Sequence, residues 1–119
     1  MVGTYNEFDA ALELCTDAHR RIVLAELIDH QESLSIDRLV DAIVEHNHHV
    51  DPASVSGETT NRIEISLVHA HLPKLADAGF VEYDTDDWQV MPTERFDRTA
   101  PAIASILQID PEFESSFSL

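Results

Sequence analysis

The sequence predicts a mainly α-helical fold with one small β-hairpin. Through the first two thirds of the chain, apolar residues recur at the three- and four-residue spacing of helix faces. After Gly79 the spacing becomes alternating, as in short strands. Three consecutive helices followed directly by a hairpin are typical of a winged helix-turn-helix domain, here with extra N- and C-terminal helices. We expect one domain over residues 1–110 and a loosely ordered tail over 111–119.

The first two helices are predicted from Tyr5 to Cys15 and from Ala18 to His30. Thr16 or Asp17 can cap the second helix, whose apolar residues cover more than one face, as in a central core helix. In the first helix, one apolar face is predicted to contain Phe8, Ala11, Leu12 and Cys15.

A third helix is predicted to begin after the capping residue Ser35. The polar segment that follows it, HNHHVDPASVSGE, contains proline and glycine and is predicted to be a loop. The apolar stripe of this helix consists of Ile36, Leu39, Val40, Ile43 and Val44.

A long fourth helix is predicted over residues 58–78. Pro73 removes one backbone hydrogen bond inside it, so we expect a kink or break there, with His69 packed near it. Gly79 stands where a left-handed C-terminal cap belongs. The predicted core face contains Ile65, Val68, Leu72, Leu75 and Ala76.

The segments FVEYD and WQVMP flank the turn residues Thr85, Asp86 and Asp87, which predicts the hairpin. A short last helix is predicted to begin near Pro101, because proline is favoured in the first turn of a helix.

Part of the chain resembles a known domain family. The stretch IEISLVHAHLPKLADAGFVEYD is similar to an uncharacterised winged-helix family of haloarchaea, as are LELCTDAHRRIVLAELIDH and SIDRLVDAIVEHN. More distantly, KLADAGFVEYD resembles the junction of helix, glycine and strand in ArsR-like and MarR-like regulators. The resemblance covers roughly residues 5–91 and implies a winged-helix fold with a role in transcription.

The composition is strongly acidic. Asp and Glu number 23 against seven Lys and Arg, so the net charge is −16, and Lys74 is the single lysine. Such a charge repels itself at low salt and is screened at molar salt, so we interpret the chain as a cytoplasmic protein of a halophilic archaeon. The lone Cys15 fits a reducing compartment, and no apolar run in the sequence is long enough to span a membrane.

The best candidates for DNA contact lie on one stripe of the long helix. Arg62 can bind guanine or phosphate, and Thr59 and Ser66 can contact phosphate or base edges. His69 completes the stripe at helical spacing. Other basic residues near helix starts could hold the DNA backbone, namely Arg20, Arg21 and Arg38.

We expect a homodimer, because a two-fold dimer suits paired DNA half-sites. Ile103, Ile106 and Leu107 form an apolar ridge that could dimerise. The alternative function is a protein–protein interaction module of the same fold that has lost DNA binding. In that case Ile63, Leu67 and Ala70, which lie opposite the predicted core face, could be covered by a partner.

The sequence does not indicate an enzyme or a cofactor. It contains no glycine-rich phosphate loop, no zinc-protease pair and no serine nucleophile motif. His46, His48 and His49 are the one metal-like cluster, but their spacing matches no metal signature, and a structural zinc site favours cysteine. We therefore predict no metal site and assign these histidines no role.

Overall fold

The computed structural model describes residues 7–48 and 50–111, with side chains over 8–46 and 50–111. The predicted tail therefore lies almost wholly outside the described residues, as do His49 and the side chain of His48. The helices are α1 (Glu7–Leu14), α2 (Ala18–His30), α3 (Ile36–Ile43), α4 (Gly57–Ser66), α5 (Leu72–Asp77) and α6 (Glu94–Leu107). The strands are β1 (Leu34–Ser35), β2 (Val81–Asp84) and β3 (Gln89–Pro92).

Three of the helix boundaries follow predicted capping signals. Asp17 caps α2 by accepting hydrogen bonds from the backbone N–H groups of His19 and Arg20. Ser35 caps α3 in the same way. Gly79, with a φ of 84°, ends α5 as predicted, and the Phe80 N–H donates to the carbonyl of Leu75 at 3.0 Å.

The hairpin is present, and a third strand joins it. The sheet is antiparallel in the order β1-β3-β2, with Tyr83 opposite Val90 and Leu34 opposite the same residue on the other side. Strand β1 contains two residues, too few to show an alternating pattern. The fold is mainly helical with a small sheet, in a winged-helix-like arrangement with extra helices.

One apolar core joins the helices and the sheet. The predicted stripe of α3 is buried throughout, and α6 packs against α1 and α2. The largest side chains that are fully buried are Phe80, Phe96, Leu24, Leu27, Ile36, Leu39, Ile43, Leu67, Leu72, Leu75 and Ile103.

Helices α1 and α6 differ from the predictions. In α1 the buried face is Ala10, Ala11, Leu14 and Cys15, whereas Phe8 and Leu12 are about half exposed. Two apolar faces overlap in this helix. The face with the small side chains of Ala10 and Ala11 is the buried one, because it lets α1 approach α6 more closely. Helix α6 begins at Glu94 after a Thr93 cap, so Pro101 lies inside it and not at its start.

The predicted long helix is present but divided. A π-helical turn, Leu67–His71, separates α4 from α5, and the Leu72 N–H donates to Leu67 O, five residues back. Pro73 has no N–H for the carbonyl of His69, which favours this irregularity.

The extra residue of the π turn rotates the buried face, so the predicted core face was wrong in its first half. Ile63 and Leu67 are buried, while Ile65 is half exposed. Within the described ranges, no helix is long and apolar enough to cross a membrane.

Candidate nucleic-acid interface

Helix α4 presents most of its surface to solvent. Of its ten residues, all described, Ile63 alone is buried. Ser56 caps the helix, because its Oγ accepts a hydrogen bond from the Thr59 N–H at 3.2 Å. The cap orders the first turn of a helix that makes few core contacts. The exposed residues of α4 are Gly57, Glu58, Asn61, Arg62, Ile65 and Ser66.

Asn61, Arg62 and Ile65 form the centre of this exposed face, which we call the α4 face. Successive helix residues are about 100° apart, so these three lie opposite Ile63 and Leu67. Asn61 was not among the predicted site residues. Asn61 would have been found if Ile63 had been assigned to the core, because Asn61 lies on the opposite side of the helix. The predicted core face instead left Ile63 exposed.

Apart from Arg62, the predicted stripe lies at one edge of the α4 face. Arg62 and Ser66 are exposed, whereas Thr59 is half-buried. His69 is also exposed but stands in the π turn, where the helix surface has rotated. Arg62 is therefore central and its three predicted companions are peripheral.

Among the described residues, the partner of Arg62 is a glutamate at the surface. Its Nη2 lies 2.8 Å from Glu58 Oε1, and both side chains are more than 70% exposed. Exposed pairs of this spacing contribute about 0.3–0.5 kcal/mol. The guanidinium can therefore exchange Glu58 for a phosphate or a base edge at small cost.

Two other arginines that were predicted to contact DNA form hydrogen bonds and an ion pair within the protein. Arg20 is 9% exposed, and its Nε donates to the carbonyl of Leu14 at 2.9 Å. Arg21 bonds the carbonyl of Cys15 and forms an ion pair with Asp110 at 3.0 Å. The prediction that these two arginines contact the DNA backbone is not supported by their positions.

Arg38 is half exposed and pairs with a buried carboxylate. Its Nη2 lies 3.1 Å from Glu26 Oε1, and Nε2 of His30 lies 3.6 Å from the same oxygen. Nε2 of His46 lies 3.9 Å from the other oxygen, Oε2. Arg38 therefore neutralises Glu26, and this ion pair limits the freedom of Arg38 to reach a phosphate.

Polar groups also meet where α2 begins and the π turn ends. His71 is 8% exposed, and its Nδ1 lies 3.5 Å from Arg20 Nη1. Its Nε2 lies 3.8 Å from Asp17 Oδ1. We call Asp17, Arg20 and His71 the α2 junction. The histidine predicted to pack near the helix irregularity was His69, whereas the buried one is His71.

The pKa values at the α2 junction follow from burial and neighbouring charge. Burial lowers the pKa of His71, and Asp17 opposes this effect while His19 and Arg20 add to it. Partial burial acts to raise the pKa of Asp17. Hydrogen bonds from the N–H groups of Arg20 and His19, with the charges of His71 and Arg20, outweigh burial and leave that pKa below its usual range.

The wing, which is the turn between β2 and β3, is acidic and tied to α3. Asp84 Oδ1 accepts hydrogen bonds from the N–H groups of Asp86 and Asp87, so three carboxylates crowd the tip. Trp88 has a left-handed φ of 59°, and its Nε1 donates to Asp37 Oδ1 at 2.9 Å. The wing is thus fixed in place, but its charge repels phosphate.

The predicted dimerisation ridge is not at the surface. Ile103 and Leu107 are fully buried in the core of the protomer, and Ile106 is partly buried against it. The three residues serve to attach α6 to the domain. The apolar spacing alone could not distinguish an intramolecular contact from an intermolecular one.

Other reactive side chains of the described region are not arranged as a site. Burial raises the pKa of the Cys15 thiol to about 11, against the effects of Arg21 and Arg20, so the thiolate is disfavoured. Among the described residues, no group of three or more His, Cys, Asp or Glu side chains is placed to hold a metal ion.

A comparison with known families gives one match. The model of a domain of unknown function, DUF7344, matches residues 12–91, from the last turn of α1 to β3. Helix α6 lies outside the matched range, although it contributes Phe96, Ile103 and Leu107 to the core. No curated protein and no solved structure matches the chain.

Proposed function

The chain belongs to the DUF7344 family, and we propose that it is a DNA-binding transcriptional regulator that places α4 in the major groove. The observation that carries the proposal is the α4 face. An exposed helix with Asn61, Arg62 and Ile65 side by side offers three ways of reading bases. Arginine pairs with guanine, asparagine pairs with adenine, and an apolar side chain contacts the thymine methyl group.

The arrangement of the fold supports this use of α4. In winged-helix domains the helix before the hairpin enters the groove, and its N-terminal residues contact base edges. Here that helix begins at an exposed glycine, Gly57, with nothing within 4 Å of an added Cβ. A duplex can therefore approach the first turn closely.

The net charge of −16 makes the salt dependence of binding unusual. Basic regulators lose affinity with salt because binding releases counterions from DNA. Here the carboxylates of the wing would lie near phosphate, and cations would be taken up between them. We propose a regulator suited to the molar potassium chloride of a halophilic archaeon, with affinity nearly independent of salt or rising with it.

The test is fluorescence anisotropy in molar potassium chloride, with duplexes selected from genomic fragments of the source organism. Arg62→Ala should weaken binding by about 1–3 kcal/mol and relax the preference for sequence. Arg98→Ala is the matched control, because Arg98 also pairs with a glutamate four residues earlier on an exposed helix surface. Equal losses for both variants, or no binding at any salt concentration, would contradict the proposal.

We further propose that the regulator binds as a homodimer. Two copies of α4 related by a two-fold axis would enter successive major grooves about 34 Å apart. Sedimentation at molar salt should give a mass near twice 13.3 kDa.

The alternative function is a protein-interaction module. It is favoured by Ile65, which is half exposed at the centre of the α4 face, and by the three carboxylates of the wing. A protein partner would cover Ile65 more readily than Arg62. In this case Ile65→Ser would weaken the complex strongly and Arg62→Ala only slightly.

A further inference from the structure

The α2 junction joins the start of α2 to the helix that presents the α4 face. His71 is the last residue of the π turn, and the turn is continuous with α4. Ile63 and Leu67 are buried before the junction and Leu72 and Leu75 after it. We therefore expect a change in the packing of His71 to alter the direction in which α4 leaves the core.

The partners of His71 determine which ring nitrogen carries a proton. Nη1 of Arg20 lies 3.5 Å from Nδ1 of His71. An arginine can only donate, so this contact favours the tautomer in which Nδ1 accepts and the single proton of the neutral ring is on Nε2. Nε2 faces the carboxylate of Asp17 at 3.8 Å, which suits an N–H group.

Arg20 cannot turn away to relieve a change in His71. Its Nε donates to Leu14 O at 2.9 Å, and its Nη2 donates to Thr16 Oγ1 at 3.2 Å. These two bonds tie the guanidinium to the last residue of α1 and to the loop that follows it. A proton on Nδ1 of His71 would then face an N–H group of a fixed cation.

Among the described residues, the charged and titratable groups that face His71 are Asp17, the cap of α2, and His19 and Arg20 in its first turn. Arg20 and His19 disfavour a positive ring, and the His19 ring lies 5.7 Å away, edge to face. Asp17 favours it but is already committed to two backbone N–H groups at the helix cap. Burial is the largest effect and keeps the pKa of His71 below its usual range, and His19 and Arg20 add to it.

We infer that His71 is a positioning residue for the α4 face and an acid-sensitive latch, closed when its ring is neutral and opened when Nδ1 binds a proton. Opening separates the π turn from Arg20 and moves α4 away from the geometry that binds DNA. The latch itself rests on the junction alone, and its effect on affinity rests on the proposed function.

The first experiment needs no DNA. In the full chain labelled with ¹⁵N-histidine, at molar potassium chloride and pH 8, Nδ1 of His71 should show the shift of an unprotonated nitrogen and Nε2 that of a protonated one. On acidification the ring should titrate below pH ~6.5, the ordinary value for histidine. A proton on Nδ1 at pH 8, or titration at or above the ordinary value, would overturn the inference.

The second experiment measures duplex affinity from pH 8 to pH 5. The wild type should weaken on acidification, by up to about tenfold for each pH unit below the pKa of His71, the limit for one linked proton. His71→Asn keeps an acceptor near the position of Nδ1 but cannot titrate, so its affinity should lose this dependence. His30→Asn, an exposed histidine of α2, should retain it.

The two experiments separate the latch from the proposed function. The expected tautomer and titration with no duplex bound at any pH would support the latch and contradict the regulator. If His71→Asn fails to fold, the labelled wild type still decides the tautomer. Equal acid dependence in the wild type and His71→Asn would show that another group is responsible and would overturn the inference.

Discussion

The two halves of the long helix are α4 and the segment 67–77. They follow each other without a gap, but α4 is largely exposed and the segment 67–77 is buried along one face. The first half buries one of its ten residues, Ile63. The second half buries Leu67, His71, Leu72 and Leu75. The segment 67–77 therefore anchors the helix in the core, and α4 leaves its surface available to a binding partner. The π turn sets the angle between the two faces.

The greatest loss of stability is expected when a core side chain of the segment 67–77 is truncated. Leu72→Ala should lower the free energy of unfolding by about 2–5 kcal/mol, because Leu72 is fully buried. Ile65→Ala, in the exposed half, should change it by less than about 0.5 kcal/mol. Urea denaturation in molar potassium chloride measures both. Similar losses for the two variants would show that the halves do not differ as described.

Salt should act on the exposed surface and not on the anchoring half. Raising potassium chloride from about 0.1 M to molar concentration should raise the melting temperature, because screening removes the self-repulsion of a net charge of −16. A gain of about 1 kcal/mol corresponds to roughly 4 °C in a domain of 119 residues. A melting temperature that stays flat or falls would contradict the interpretation of a salt-adapted surface.

The cap of α4 should matter because this half has little other support. Ser56→Ala removes the acceptor for the Thr59 N–H and should cost about 1 kcal/mol. Ser54→Ala, in the short 3-10 turn before it, serves as the control and should be close to neutral. Hydrogen exchange should locate the loss in α4. Faster exchange spread evenly over α4 and α5 would mean that they unfold as one unit.

The smallest effect is expected for Arg62→Ala on stability. The Arg62–Glu58 pair is exposed, so its loss should change the free energy of unfolding by about 0.5 kcal/mol or less. Arg98→Ala should behave alike. If Arg62→Ala and Arg98→Ala are equally stable but Arg62→Ala alone loses DNA affinity, Arg62 acts in binding. A larger destabilisation by Arg62→Ala would mean that α4 depends on this pair for its structure.

Local signals in the sequence predicted the parts of the fold that depend on neighbouring residues. Ser35 and Gly79 stand at helix ends as predicted, and Asp17 is the cap of α2 out of the two predicted candidates, Thr16 and Asp17. A cap is a contact between residues a few positions apart, so it can be recognised in the sequence. The hairpin was found for a similar reason. Strand β1 was missed because two residues cannot show a period, and its partner β3 is more than fifty positions away.

The candidate site was predicted less well because it depends on the register of a helix. A regular 3.6-residue period from Leu72 and Leu75 back to the start of α4 puts Ile65 inside and Ile63 outside. The π turn adds one residue and reverses that assignment. The roles of Arg20 and Arg21 likewise depend on carbonyls and carboxylates brought together by folding.

Trp88 gives the molecule a built-in optical probe. It is the single tryptophan of the chain, it is partly buried at the base of the wing, and its indole N–H is bonded to Asp37 of α3. Its fluorescence therefore reports on the contact between the wing and α3, with no other indole contributing. A blue or red shift in emission on adding DNA would reveal whether that contact tightens or opens, and stopped-flow mixing would time the movement.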